Sequence, residues 1–210
     1  MKLRLWILAF GTLIALSCTM CFGQPLRMAP ADAVQQEEFG DLATGDGYIH
    51  IMNSGANGAT HEAGTITVHV YAFSPDEQLI SCCSCRITPD AVELLSVKQD
   101  LISNTLTPAT PTSITVKLVA SKGSGSNNTA ATDQRVYGSP GFSSGLRATR
   151  LASHDPAGFP GVPAKFVTEA PFFIVPVSDG EYSRMVTLCK SIQDNGSGFG
   201  ICRSCRLGSN

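Results

Sequence analysis

The chain reads as mainly β: an antiparallel, immunoglobulin-like β-sandwich with one C-terminal α-helix, stapled by disulfides. Three observations point there. Short runs of alternating apolar and polar residues recur along the chain, separated by Gly, Pro and Asn rather than by helical stretches. A single stripe of helical period stands near the C-terminus. Two triplets of cysteine lie in the middle and at the end of the chain.

The N-terminus comes first. Lys2 and Arg4 precede a nearly uncharged apolar run over residues 5–16. A run of about a dozen residues is the length of a signal h-region, whereas a membrane span needs about 20. Residues 1–23 are therefore expected to be a signal peptide, with Gly23 the last residue before cleavage. Ala15-Leu16-Ser17-Cys18 faintly resembles a lipobox, in which Cys18 would carry a lipid tether. Residues 24–46 are polar without a steady period and read as a flexible leader.

Residues 47–210 are expected to form one domain. Strands are predicted at 48–52, 65–73, 78–86, 91–97, 113–120, 145–152, 165–168 and 172–177. The clearest is 65–73, where Ile66, Val68, Val70 and Ala72 alternate with Thr65, Thr67, His69 and Tyr71. The Gly-, Ser- and Asn-rich stretch 121–145 reads as a flexible loop. Ser178-Asp179-Gly180-Glu181 has capping-box spacing. Tyr182, Met185, Val186, Cys189 and Ile192 then place an amphipathic helix at about 179–194, stopped by Asn195-Gly196.

Composition narrows the function. The 210 residues carry 15 Lys+Arg against 17 Asp+Glu, a net charge of −2, which excludes a strongly basic nucleic-acid binder. Only 15% of residues are charged and 43% are hydrophobic, which excludes a disordered polyelectrolyte or a coiled coil. No second apolar run of spanning length follows the signal.

Of eight cysteines, Cys18 and Cys21 fall in the signal. The remaining six are Cys82, Cys83 and Cys85, then Cys189, Cys202 and Cys205, an even number suited to a disulfide framework in an exported chain. Neighbours Cys82 and Cys83 on a strand point to opposite faces, and a bridge between them would be strained. The first triplet is thus expected to pair across the chain, with its connectivity left open. Two pairs, Cys82-x-x-Cys85 and Cys202-x-x-Cys205, also offer a thiolate metal site such as Zn²⁺, or a redox centre. The interval between them is far longer than the ~15–20 residues of compact zinc modules.

Catalytic-looking motifs fade on inspection. Gly141-Phe142-Ser143-Ser144-Gly145 matches G-x-S-x-G but lacks the strand-to-helix setting of a nucleophile elbow. His154 is the only histidine after Ser143, with no acid between them. His50 and His69 would share a metal only if their strands paired and a third ligand joined them; otherwise they are exposed strand residues. Asp41 and Asp46 read as solvated loop carboxylates, without EF-hand spacing. Gly196-Ser197-Gly198-Phe199-Gly200 lets the tail reverse and is no dinucleotide fingerprint. Asn127 and Asn195 open glycosylation sequons that matter only in a eukaryotic source.

The blocks Tyr71-Ala72-Phe73-Ser74-Pro75-Asp76-Glu77-Gln78 with Cys82-Cys83-Ser84-Cys85-Arg86-Ile87-Thr88-Pro89, and Asn195 to Cys205, NGSGFGICRSC, carry a further signal. Together they resemble a family of uncharacterised exported bacterial proteins, mostly of acidobacterial type. The resemblance spans about residues 47–206 and implies export from a bacterial source, with no activity, ligand or catalytic residue to carry over. The expected function is a non-enzymatic envelope or extracellular module, for binding or structure, with an unknown ligand and no cofactor. The alternatives are a thiolate metal or redox protein, and a hydrolase whose groups meet only in three dimensions.

Overall fold

The computed structural model describes residues 31–106, 109–122, 141–154 and 166–205. The expected signal peptide, the lipobox-like stretch at Cys18, the centre of the predicted 121–145 loop, the Asn127 sequon and the side chain of His154 lie outside the described residues.

Two antiparallel sheets form the fold. The strands are β1 (Val34–Phe39), β2 (Asp46–Asn53), β3 (Ile66–Phe73), β4 (Leu79–Ile87), β5 (Val92–Ser96), β6 (Ile114–Lys122), β7 (Leu146–His154), β8 (Phe166–Pro171) and β9 (Phe173–Ile174). A five-stranded sheet has the order β4-β3-β6-β1-β9, and a four-stranded sheet the order β5-β2-β7-β8. Inward side chains of both sheets, among them Val68, Val70, Leu118, Ile49, Ile51 and Leu95, form one buried core. This is the sandwich that period-two alternation implies, one face of each sheet turned to the other.

Helix α1 is a single turn, His61–Gly64, capped by Thr60, which the sequence reading did not anticipate. A π-helical turn, Val97–Leu101, follows β5 and is capped by Ser96, whose hydroxyl accepts from the Gln99 amide at 2.9 Å. Helix α2, Asp179–Asp194, forms where the stripe placed it. Its N-cap Ser178 accepts from the Glu181 amide at 3.1 Å, and Met185, Cys189 and Ile192 are its buried residues. They pack with Val34, Tyr71, Cys82 and Val119 on the outer face of the five-stranded sheet. Among the described residues no helix is long and apolar enough to cross a membrane.

The leader expectation is corrected for residues 34–39, which form β1, paired with β6 along its whole length. The sequence hid this strand because two of its inward positions are polar. Buried Gln35 lies opposite a stretch of β7 that β8 does not reach. Its Nε2 donates to the Leu146 carbonyl at 2.7 Å, and its Oε1 accepts from the Ala148 amide at 3.0 Å, so a side chain stands in for a missing strand. Glu37 Oε1 accepts from Arg150 Nη1 at 3.0 Å, an ion pair that ties the two sheets together. Residues 121 and 122 belong to β6 rather than to the predicted loop, and the strand predicted at 172–177 contracts to two residues.

Candidate functional site

The most elaborated feature is a three-disulfide clasp around β4, an edge strand. An edge strand exposes unpaired backbone groups to chance pairing unless it is covered. Here the C-terminal tail pairs with the edge at Cys82, and the Leu106 amide donates to the Ile80 carbonyl at 3.3 Å. The Cys82 amide donates to the Gly200 carbonyl at 2.9 Å and the Cys202 amide to the Cys82 carbonyl at 3.4 Å, a short parallel bridge.

The six cysteines fix that arrangement. Cys82 bonds Cys189 with a Cα separation of 5.9 Å, Cys83 bonds Cys202 at 5.5 Å, and Cys85 bonds Cys205 at 4.5 Å. All fall in the ~4.4–6.8 Å range of unforced bridges. Strand alternation decides the sides. Cys82 points outward to α2, whereas Cys83 and Cys85 point into the sandwich, where the tail inserts buried Cys202. The strand is thus held from both faces at once. The same alternation places the two cysteines of Cys82-x-x-Cys85 on opposite faces, each in its own bridge, so that pair does not form a chelate. Among the described residues no three His, Cys, Asp or Glu gather as metal ligands would.

Polar residues lock the π-turn and the tail's inner end, among them Asp46, which the sequence placed in solvent, and Asp100 and Asn104, which it did not single out. Asp46 accepts from the Lys98 amide at 2.9 Å and from Ser96 Oγ at 2.7 Å, holding the π-turn rather than lying in solvent. Asp100 accepts from the Ser96 amide at 2.7 Å and from Ser204 Oγ at 2.5 Å, and its carbonyl accepts from the Arg203 amide at 3.1 Å. Asn104 accepts from the Gly200 amide on its carbonyl, and its side chain donates to the Gly198 carbonyl, both at 2.6 Å. No periodicity marks these residues, since Asp46 serves a turn about fifty positions away and Asp100 and Asn104 serve a tail about a hundred away. Glu93 Oε1 lies 3.9 Å from Cys205 Sγ, and burial together with the Asp100 charge raises its pKa.

The other singled-out residues separate. His50 is in the four-stranded sheet and His69 in the five-stranded one, so their strands do not pair. His69 is partly buried, not exposed, and both ring nitrogens are engaged: Nδ1 with Ser84 Oγ at 2.8 Å and Nε2 with Ser121 Oγ at 3.0 Å. These partners sit on the two flanking strands, and burial lowers the His69 pKa to about 4. Ser143 is 1% exposed; its amide donates to the Ala120 carbonyl at 2.9 Å and its hydroxyl accepts from Asn57 Nδ2 at 2.9 Å. That is a loop-anchoring serine, not a presented nucleophile. Asp41 occupies a turn with φ of 56°.

No family model, curated protein or solved structure matches this chain.

Proposed function

We propose that the protein is an exported, non-enzymatic module of the cell envelope or extracellular space, serving binding or structure. The clasp carries this reading. Six cysteines in three complementary pairs, five of them buried and the sixth partly so, suit an oxidising compartment, since a reducing cytosol keeps thiols reduced and disulfides rare. The two blocks that resemble exported bacterial proteins hold five of the six clasp cysteines, three on β4 and two in the tail from Asn195 to Cys205. The signal-like residues 1–23 supply the route. The non-enzymatic part rests on the occupied state of the candidate groups, Ser143 held by Asn57 and His69 held by two serines.

The test is to isolate the natural protein from each fraction of its source. Recovery outside the cytoplasm, an N-terminus at Gln24 and no alkylatable thiol before reduction are expected. Cytoplasmic recovery with the six cysteines of the clasp as free thiols overturns the reading, and a stoichiometric metal on those thiols favours the metal-site alternative.

A further inference from the structure

We propose that the outer face of the four-stranded sheet docks onto the same face of a second copy of this chain. The inference is independent of export and concerns a different surface from the clasp.

The two outer faces of the sandwich are unequal. That of the five-stranded sheet lies under α2. That of the four-stranded sheet has no described helix over it, yet it is apolar where it should be polar. Val92 is 55% exposed, Leu94 51% and Met52 36%. Strand alternation explains why they share a face, since Ile49, Ile51 and Leu95 take the inner positions. Cross-strand register then orders the outer face into rows. The first is Val92, Met52 and Arg147; the second Leu94, His50, Thr149 and Pro171; the third Ser96, Tyr48, Leu151 and Glu169. Contiguous exposed apolar pairs on adjacent strands mark an interaction surface rather than scattered surface residues.

Charge placement selects the occupant. Arg147 in the first row and Glu169 in the third are exposed, and Thr149 lies midway between their rows. A two-fold axis lying across the strands through the second row exchanges the first and third rows. Arg147 of one copy then meets Leu151 of the second copy, one strand spacing from its Glu169, and the contact occurs twice. Met52 meets Tyr48, Leu94 meets its own counterpart, and Val92 meets Ser96. A face that sets Leu94 on Leu94 and Met52 on Tyr48, with Arg147 one strand spacing from Glu169 of the second copy, has the self-complementarity of an isologous dimer.

The test uses the full mature chain in 0.15 M salt, followed by sedimentation velocity across a hundredfold concentration range. A concentration-dependent dimer is expected. Leu94→Asp should weaken it at least tenfold with three bridges and near-UV dichroism unchanged, because Leu94 is half exposed and its loss leaves the core intact. Arg147→Glu should also weaken it, and Arg147→Glu combined with Glu169→Arg should restore it. A wild-type monomer throughout, or a dimer indifferent to both single substitutions, overturns the proposal.

Discussion

Cys82 and Cys83 are adjacent in β4, yet their disulfides leave the sheet in opposite directions, Cys82 to Cys189 of the helix outside and Cys83 to Cys202 of the tail inside. A single β-strand is therefore both the edge of the sheet and the disulfide anchor of α2 and of the described tail to Cys205. The arrangement closes with pairs in sequence order, first to fourth, second to fifth and third to sixth, as expected if the tail lies parallel to β4.

The bridges should not be equivalent. Cys205 is the only partly exposed cysteine of the six, the others being at most 6% exposed. A small thiol should therefore attack Cys205 first and open Cys85–Cys205 before either other bridge. Limited reduction, alkylation and peptide mass mapping would show this order; early labelling at Cys82 or Cys189 would contradict it. The first bridge to close spans about a hundred residues, about 5 kcal/mol in the chain-entropy model, whereas Cys85–Cys205 beside a formed Cys83–Cys202 closes only a small residual ring, about 2 kcal/mol. Replacing Cys85 and Cys205 together by Ala should cost about that smaller amount plus about 1 kcal/mol for the lost packing of the buried Cys85 sulfur in urea unfolding.

Acid should destabilise the fold through His69. Its pKa is about 4 in the folded chain against 6.5 for a free histidine. Between those values the unfolded chain binds more protons, so stability is full above pH 6.5 and falls as pH drops toward 4. The loss is bounded at about 3 kcal/mol, less in so far as the partly buried ring reaches water. Glu93, with its raised pKa, acts in the opposite sense above its ordinary 4.5, contributing stability at low pH that is lost as pH rises. The comparison that isolates the histidine is wild type against His69→Asn, whose urea midpoints should converge as pH falls from 7 to 4. Parallel curves would remove the assignment.

Removing Arg150 should be costly in a way that removing the whole pair is not. Glu37 is 6% exposed, and its Oε2 has no hydrogen-bond partner among the described residues, so Arg150 carries most of its compensation. Arg150→Met leaves a buried carboxylate facing an apolar neighbour, a loss of about 2–4 kcal/mol given that the guanidinium is itself partly solvated. Adding Glu37→Gln should recover at least half of it in a double-mutant cycle. Equal costs for the single and double variants would mean that Arg150 acts through its stacking on Phe39, where its guanidinium carbon lies 5.7 Å from the ring centre.

What sequence reading captured and what it missed divides along one physical line. Elements whose own residues carry the burial signal were visible: the 66–73 alternation, the helix stripe through Cys189 and the cysteine triplets. Elements whose meaning lies in a distant partner were not. Gln35 and Glu37 look like leader residues until β7 is placed beside them, and Asp46, Asp100 and Asn104 look like loop polars until the π-turn and tail dock. Cysteine spacing implied a cross-chain staple with Cys82 and Cys83 on opposite faces, but which cysteine each one bonds depends on where the helix and tail dock.

Gly200 is where tail, helix and sheet meet, and it tests whether the clasp depends on backbone shape as well as on sulfur. Its φ is 77°, in the left-handed region that glycine enters freely. A Cβ there would lie 2.7 Å from Ile192 Cγ2 and 2.9 Å from Leu106 Cγ, closer than carbon atoms can pack. Gly196 has nearly the same backbone, φ of 71°, but nothing within 4 Å of where a Cβ would stand. The two glycines therefore separate conformation from crowding. Gly196→Ala should lose only the backbone contribution, about 1 kcal/mol, whereas Gly200→Ala adds overpacking and should lose about 2–4 kcal/mol. Because Gly200 also accepts from the Cys82 amide, its displacement should move the tail off β4 and lower the yield of Cys83–Cys202 on oxidative refolding. Urea midpoints and disulfide maps of both refolded variants measure this. Indistinguishable variants would mean that the bridges position the tail without help from its backbone.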